Sequence, residues 1–387
     1  MTKEGSGMVG NEPVGNEDGR KMPVLKKIVI QDFRNIAFQE VEFSPKVNCI
    51  SGDNGEGKTN LLDAIYCLSM TKSALAGSER FNIRYGTEAF QLGGQYLMPD
   101  AVESRVSIRF SNSGEKKVVR DGKTYSRISD HIGLIPVVMV SPADGSLVSE
   151  SGAERRRFAN AVLSQMDRQY LASIQQYNRL LMQRNTLLKD GAADPALLEV
   201  IDLKMEAAAA PAYEARKRFA EALAPIVSRY YTLISGGGEE VTVEYRSDLA
   251  SAPLRDLLRA SLEKDRIFKY TTCGLQRDDL IFKMNGHPIR HAGSQGQQKS
   301  FLVALKFAEY EIMKGGSGVA PILLLDDVFD KLDLGRISNL IAMVSGSGFS
   351  QIFITDCDAA RLSRTVDAIT EDRAYFQAKA GAFNPLG

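Results

Sequence analysis

Gly52-Asp53-Asn54-Gly55-Glu56-Gly57-Lys58-Thr59, followed by Asn60, is the stretch whose reading decides the fold of this chain. It has the form G-x-x-x-x-G-K-T, in which glycines let the backbone wind round phosphates with its N–H groups pointing inward. Its setting agrees. Val47, Cys49 and Ile50 read as a buried strand before it, and Leu61, Leu62, Ile65 and Leu68 fall at helical spacing after it. A helix beginning near Lys58 adds unpaired amides and the positive end of its dipole. Lys58 is expected to reach the β- and γ-phosphates of ATP, and the Thr59 hydroxyl to ligate Mg²⁺. A chance glycine turn would lack the strand before and the helix after.

The second half of such a site lies far downstream. Ile322-Leu323-Leu324-Leu325-Asp326-Asp327 is an apolar strand ending in two carboxylates. Asp326 is expected to hold the Mg²⁺ shell and Asp327 to polarise the attacking water. Before this strand, Ser294-Gln295-Gly296-Gln297 opens an apolar helix carrying Leu302, Val303, Leu305 and Phe307. Serine and glycine there offer a hydroxyl and backbone amides to an anion, and the same residues would serve a plain helix cap. The order of these segments is typical of ATP-binding-cassette ATPases, in which the serine–glycine signature of one subunit completes the site of another. In the same likeness, Asp330-Lys331-Leu332-Asp333 resembles the aspartate loop of the dimer interface. Thr355 or Asp356, at the polar end of another apolar strand, is then expected on the γ-phosphate side.

Composition narrows the classes. The chain has 387 residues, 44% hydrophobic and 25% charged, enough for two or three domains with cores of their own. Lysine plus arginine (48) equals aspartate plus glutamate (48), so a nucleic-acid partner must meet a local patch. No apolar run approaches the roughly 20 residues of a membrane span, and the glycine-rich residues 1–22 have no apolar centre for a secretory signal, reading as a disordered tail. Cys49, Cys67, Cys273 and Cys357 are scattered like the reduced thiols of a cytosolic protein, and neither they nor the three histidines have metal-ligand spacing.

Along the chain, strand patterns at 25–30, 37–43, 89–96, 102–110 and 116–120 precede a change to helical periodicity from Glu154. Pro195 starts a further helical stretch, and Gly236-Gly237-Gly238 closes it. The expected organisation is an α/β head over 23–149, a lobe of short antiparallel helices over 150–236, and the rest of the head over 237–387. Within 151–190, Arg155, Arg156, Arg157, Arg168, Arg179, Arg184 and Lys189 outnumber Glu154, Asp167 and Asp190. That local excess suits DNA phosphates, with Arg155, Arg156, Arg157, Arg179 and Arg184 as expected contacts. A solvated helix face would look the same.

Together these motifs resemble the bacterial RecF family over nearly all of 24–380. The likeness rests on the loop and the LKKIVIQDFRN before it, SPAD (141–144), ERRRFAN (154–160), YNRLLMQRNTLLK (177–189), GLQRDDL (274–280), GSQGQQKSFLVALKFAE (293–309) and LLLDDVFDKLD (323–333). It implies an ABC-type P-loop ATPase head, related to chromosome-structuring ATPases, with a helical lobe inserted. It further implies a homodimer in the ATP state, slow DNA-stimulated hydrolysis, action at gapped or junction DNA, and the mediator proteins RecR and RecO as partners. Two departures stand out. Leu275 and Gln276 replace the family's usual Pro-His, and Ala143 stands where glutamate is usual, leaving Ser141 and Asp144 to serve as the glutamine loop. The rival classes are a transporter-type ATPase subunit that does not bind DNA, a small-molecule P-loop kinase, and a scaffold that holds nucleotide without hydrolysing it.

Overall fold

The computed structural model describes residues 22–190, 194–330, 332, 334–345, 349–367 and 370–386. Strands β1 (Val24–Phe33) and β2 (Ile36–Glu42) form an antiparallel hairpin turned at Arg34 and Asn35. β3 (Val47–Ser51) then feeds the glycine loop and helix α1 (Lys58–Met70). β4 (Ala89–Leu97), β5 (Glu103–Ser111), β6 (Lys116–Arg120) and β7 (Lys123–Thr124) follow as a meander. Its last turn is Asp121-Gly122, both at positive φ as a two-residue hairpin requires. β8 (Val137–Val140) leads into α2 (Gly145–Ser149), α3 (Gly152–Met166), α4 (Arg168–Asp190) and α5 (Pro195–Ser235).

The return path runs through β9 (Val241–Arg246), α6 (Leu254–Phe268), β10 (Asp279–Met284), β11 (His287–Pro288) and α7 (Ile289–Ala292) to the long α8 (Gln295–Ser317). β12 (Ile322–Asp326), α9 (Leu334–Ser345), β13 (Ile352–Asp356), α10 (Ala359–Asp367), β14 (Arg373–Lys379) and β15 (Ala382–Leu386) complete it.

The central sheet has the order β15-β14-β3-β13-β12-β8, parallel except for the β14–β15 hairpin. β3, β8, β12 and β13 are buried along their whole length, as strands covered on both faces must be. Alternate residues feed two cores. Cys49, Leu325 and Ile354 face the helices α3, α5 and α8, while Ile50, Leu324 and Phe353 face α1 and the antiparallel sheet β2-β1-β4-β5-β6-β7. Register then matters for function: Ser51 pairs with Asp356 and Asp326 with Thr355, so the glycine loop and the acidic strand ends meet at the carboxyl end of the central strands.

One expectation needs correcting. The helical lobe is not made of short helices, because α5 alone runs 41 residues. Asp194 caps it through a bond from the Ala196 amide, Pro195 sits in its first turn, and Gly236 at φ 81° ends it. Pro211 and Pro225 lie inside it without ending it, since a continuous stripe including Met205, Ala209, Ala212 and Leu223 is buried. The small side chains let α5 pack along both α4 and α8. α6, which follows the three glycines, also packs on α5 and α4.

Candidate nucleotide-binding site

The loop between β3 and α1 is closed by its own lysine. Lys58 Nζ donates to the carbonyls of Gly52 (2.6 Å) and Asp53 (2.9 Å), bending the chain into a ring. Glycine is required at two points of that ring. Gly52 has φ +149° and a Cβ there would lie 2.5 Å from the Ala378 carbonyl oxygen, and Gly57 has φ +103° with Asn35 Oδ1 at 2.9 Å. Gly57 also caps α1 without any side-chain bond, so the first amides of the helix stay open to an anion.

Neighbouring turns brace the ring. Asn35 Nδ2 donates to the Gly55 carbonyl (3.3 Å), Asn60 Nδ2 to Asn35 Oδ1 (2.7 Å), and Arg34 to Asn60 Oδ1 (3.1 Å) and Asp63 Oδ2 (2.7 Å). Gly381 N reaches the Glu56 carbonyl at 3.0 Å, and Ala380 N donates to the Glu56 carboxylate. Arg34 and Asn35 are site residues that reading the sequence as a hairpin turn overlooked. The signal was their place in the turn ahead of the loop strand, where a plain turn needs no arginine.

At the facing strand end, Thr59 Oγ1 lies 2.8 Å from Asp326 Oδ2, and Thr355 Oγ1 donates to Asp326 Oδ1 at 2.7 Å. Burial pushes the Asp326 carboxyl above its usual range, against the two threonine bonds that hold it down. A hydroxyl and a desolvated carboxylate side by side form a pair of hard oxygen donors, which fits Mg²⁺. Asp327 follows at φ 51°, its amide donating to Thr355 Oγ1 at 3.1 Å. The left-handed backbone turns its side chain out of the strand's alternation.

Ser294, Gln295, Gly296 and Gln297 stand at the start of α8. Ser294 Oγ accepts from Gln297 N (3.3 Å) while Gln297 Oε1 accepts from Ser294 N (2.8 Å), a reciprocal cap, and Ser294 and Gln295 are exposed. Among the described residues, none of their hydrogen bonds reaches the loop at 52–60 of the same chain.

The chain's likeness to known proteins matches this geometry. The profile of the RecF/RecN/SMC N terminal domain family matches residues 24–373. The chain is 42% identical over 363 residues to the DNA replication and repair protein RecF of Parabacteroides distasonis, covering 94% of this chain and 99% of that one. It is 43% identical over 362 residues to the protein of the same name from Porphyromonas gingivalis, covering 92% and 99%.

The chain belongs to the RecF family.

A solved structure described as the recombination mediator protein RecF-ATP in the RecFOR pathway superposes with TM-score 0.86 at 29% identity, over 96% of this chain and 100% of that one. An Smc head domain from Pyrococcus furiosus superposes with TM-score 0.56 at 16% identity, over 94% and 96%, which speaks for the fold alone. The fold is thus the ABC-type ATPase head of RecF and SMC proteins with its helical lobe.

Within this RecF-family chain several expected residues are differently employed. Asp356 is fully buried and accepts both Nε (2.9 Å) and Nη2 (2.6 Å) of Arg361, and Thr355 is taken up by Asp326 and Asp327. Neither is free for a γ-phosphate in this conformation. Asp330 is exposed beyond β12, while Asp333 lies outside the described residues, as do residues 1–21 of the expected tail. Asp144 accepts from Ser141 N (2.7 Å) and faces Lys306 Nζ (3.4 Å), so it braces its own loop against α8. Gln276, standing for the family's histidine, ties Tyr177 OH (2.5 Å) to the Cys273 carbonyl (2.6 Å).

The arginines divide. Arg184 is wholly buried, donating to Asp202 (2.8 Å) and Asp265 (2.6 Å), and must be withdrawn from the expected DNA contacts. Arg155 is paired through both Nε and Nη2 with Asp279, at 2.7 and 3.0 Å, and likewise serves packing. Arg156 donates to the Asp278 carbonyl at 2.8 Å. Arg157 and Arg179 remain on the surface, with local bonds only to Glu154 and Gln176.

Proposed function

We propose that this chain is an ATP-gated DNA clamp of recombinational repair and replication restart. The single observation that carries the reading is a site in two parts. The ring around Lys58 with Thr59 and Asp326 is complete within one chain, whereas the exposed Ser294 cap makes no contact with it. A signature so placed is suited to the nucleotide of a second copy.

In this reading Gly52–Asn60 and Lys58 hold the phosphates of ATP, and Thr59 and Asp326 hold Mg²⁺, which screens the phosphate charge. Ser294 and the Gly296 amide of the facing copy close over the γ-phosphate and bring two heads together. Asp327 orients a water for hydrolysis to ADP and phosphate, after which the contacts across the interface are lost and the heads part. ATP moves the equilibrium only by its preference for the paired state. Slow, DNA-stimulated turnover then acts as a timer on gapped or duplex DNA, bound without sequence preference. RecR and RecO are the proposed partners in loading the recombinase, in the cytoplasm. Among the described residues no helix is long and apolar enough to cross a membrane.

The test is sedimentation and ATP turnover, each with and without DNA. The parent should double in mass with ATP and magnesium and hydrolyse faster with DNA. Lys58→Ala should lose nucleotide binding. Ser294→Arg should bind ATP as a monomer, and normal pairing by this variant would sink the two-copy site.

A further inference from the structure

A groove lies at the far end of α1 from the glycine loop, between the antiparallel sheet's connection to β8 and the helices α3 and α4. Its volume is about 620 Å³, within the range of roughly 300–1,000 Å³ that small ligands occupy. Lys72, Arg156 and Arg157 line it, and no carboxylate does. Local pairing does not offset these charges fully. Among the described residues Lys72 makes no ion pair or hydrogen bond, Arg157 meets only Glu154 at the surface, and Arg156 donates to the Asp278 carbonyl with the Asp279 carboxylate nearby.

Although Lys72 reaches solvent, partial burial of its ammonium lowers its pKa, the nearby Arg157 and Lys116 cations lower it further, and Glu79, itself paired with Lys116, offsets part of this. Such a cluster is short of an anion. The α1 end itself does not supply one, because the Leu68 carbonyl is bonded by His131 Nε2 (2.8 Å) and the Thr71 carbonyl by Lys116. The opposite wall is apolar, with Ile128, Ile132 and Leu171 partly exposed, and Gln175 and Asn178 at the rim present amides.

We propose that this groove takes an unpaired stretch of single-stranded DNA, its phosphodiesters on Lys72, Arg156 and Arg157 and its bases against the Ile132–Leu171 wall. A splayed single strand offers both the charge and the apolar base faces the groove matches, whereas a duplex keeps its base faces stacked inside. Amides at the rim meet base edges without a code, so sequence matters little. The groove floor is one end of α1 and the phosphate ring is the other, which puts strand and nucleotide on one rigid helix. The inference rests on the DNA-binding function proposed above.

The experiment is a fluorescence-anisotropy titration of the full chain with ATP against three labelled DNAs: a single strand, a duplex with a single-stranded tail, and a blunt duplex. Lys72→Glu should weaken binding of the first two about tenfold or more and of the blunt duplex less than about twofold. Lys72→Gln should reduce the salt dependence on single strands by roughly 0.7 in log–log slope. Equal losses on all three DNAs, or none on the tailed duplex, would overturn the groove assignment while leaving DNA binding intact. A parent that binds none of the three overturns the DNA-binding function itself.

Discussion

Arg184 sits on α4 among residues whose charge count suggested a nucleic-acid face, yet its guanidinium lies between Asp202 and Asp265 with no exposure. Asp265 also accepts from the Thr272 amide and hydroxyl, at 2.9 and 2.7 Å. Removing the arginine strands a buried carboxylate, so Arg184→Ala should cost about 3–5 kcal/mol in a urea unfolding titration. Folded variant should bind DNA as the parent does. A clear loss of DNA affinity at unchanged stability would return Arg184 to the binding surface. Sequence could not separate this arginine from Arg157, since both are basic residues on amphipathic helices. What separates them is that α5 and α6 bring Asp202 and Asp265 across from elsewhere in the chain.

At the scale of an element, α8 bears two demands at its first turn. Its capping box keeps the helix end satisfied, and its exposed serine is the proposed contact with a second copy's nucleotide. Aspartate caps as well as serine, so Ser294→Asp should keep stability within about 1 kcal/mol of the parent. Its charge would face the γ-phosphate, however, and ATP-dependent pairing should be lost in sedimentation. A variant that pairs normally would reduce Ser294 to a cap. The helix itself was legible from Leu302, Val303, Leu305 and Phe307, all of which are buried. The stretch from Pro195 to the three glycines was legible as helical, but its unbroken run of 41 residues, with Pro211 and Pro225 inside it, was not. Tertiary packing on α4 and α8 overrides a local cost of about 3 kcal/mol for an interior proline.

The whole molecule is a parallel sheet with a core on each face, and a charged cluster crosses one of them. Lys306 on α8 is nearly buried beside Asp144 of the loop after β8 (3.4 Å) and Glu309 (3.2 Å). Burial pushes Glu309 up to about 7, Lys306 pulls it down and Asp144 adds to the rise. The folded carboxyl therefore holds its proton more tightly than the unfolded one. Its contribution to stability is full below the unfolded value near 4.5 and is lost as pH rises through about 7. Denaturation midpoints of the parent should fall between about pH 5 and pH 8, by a free energy on the order of 3 kcal/mol at most. Glu309→Gln should flatten that segment of the curve, and an unchanged slope would assign it to other groups. Loop and helix are thus joined under the nucleotide edge of the sheet by a contact whose two sides lie far apart in sequence.

The chain by itself determined the lysine-closed glycine loop, the acid-bearing strand and the serine-capped helix, because each is a short pattern whose geometry follows from glycine freedom, strand alternation and helix capping. It also showed most strands, since their apolar runs are contiguous. Only the tertiary structure decided which charges are available. Asp356 lies against Arg361, Asp144 against Lys306 and Arg155 against Asp279, while Lys72 and Arg157 line a groove free of carboxylates. Those pairings join residues from different elements, and a charge buried without a partner is too costly to persist. Exposure and pairing are therefore properties of the assembled fold, not of any local stretch.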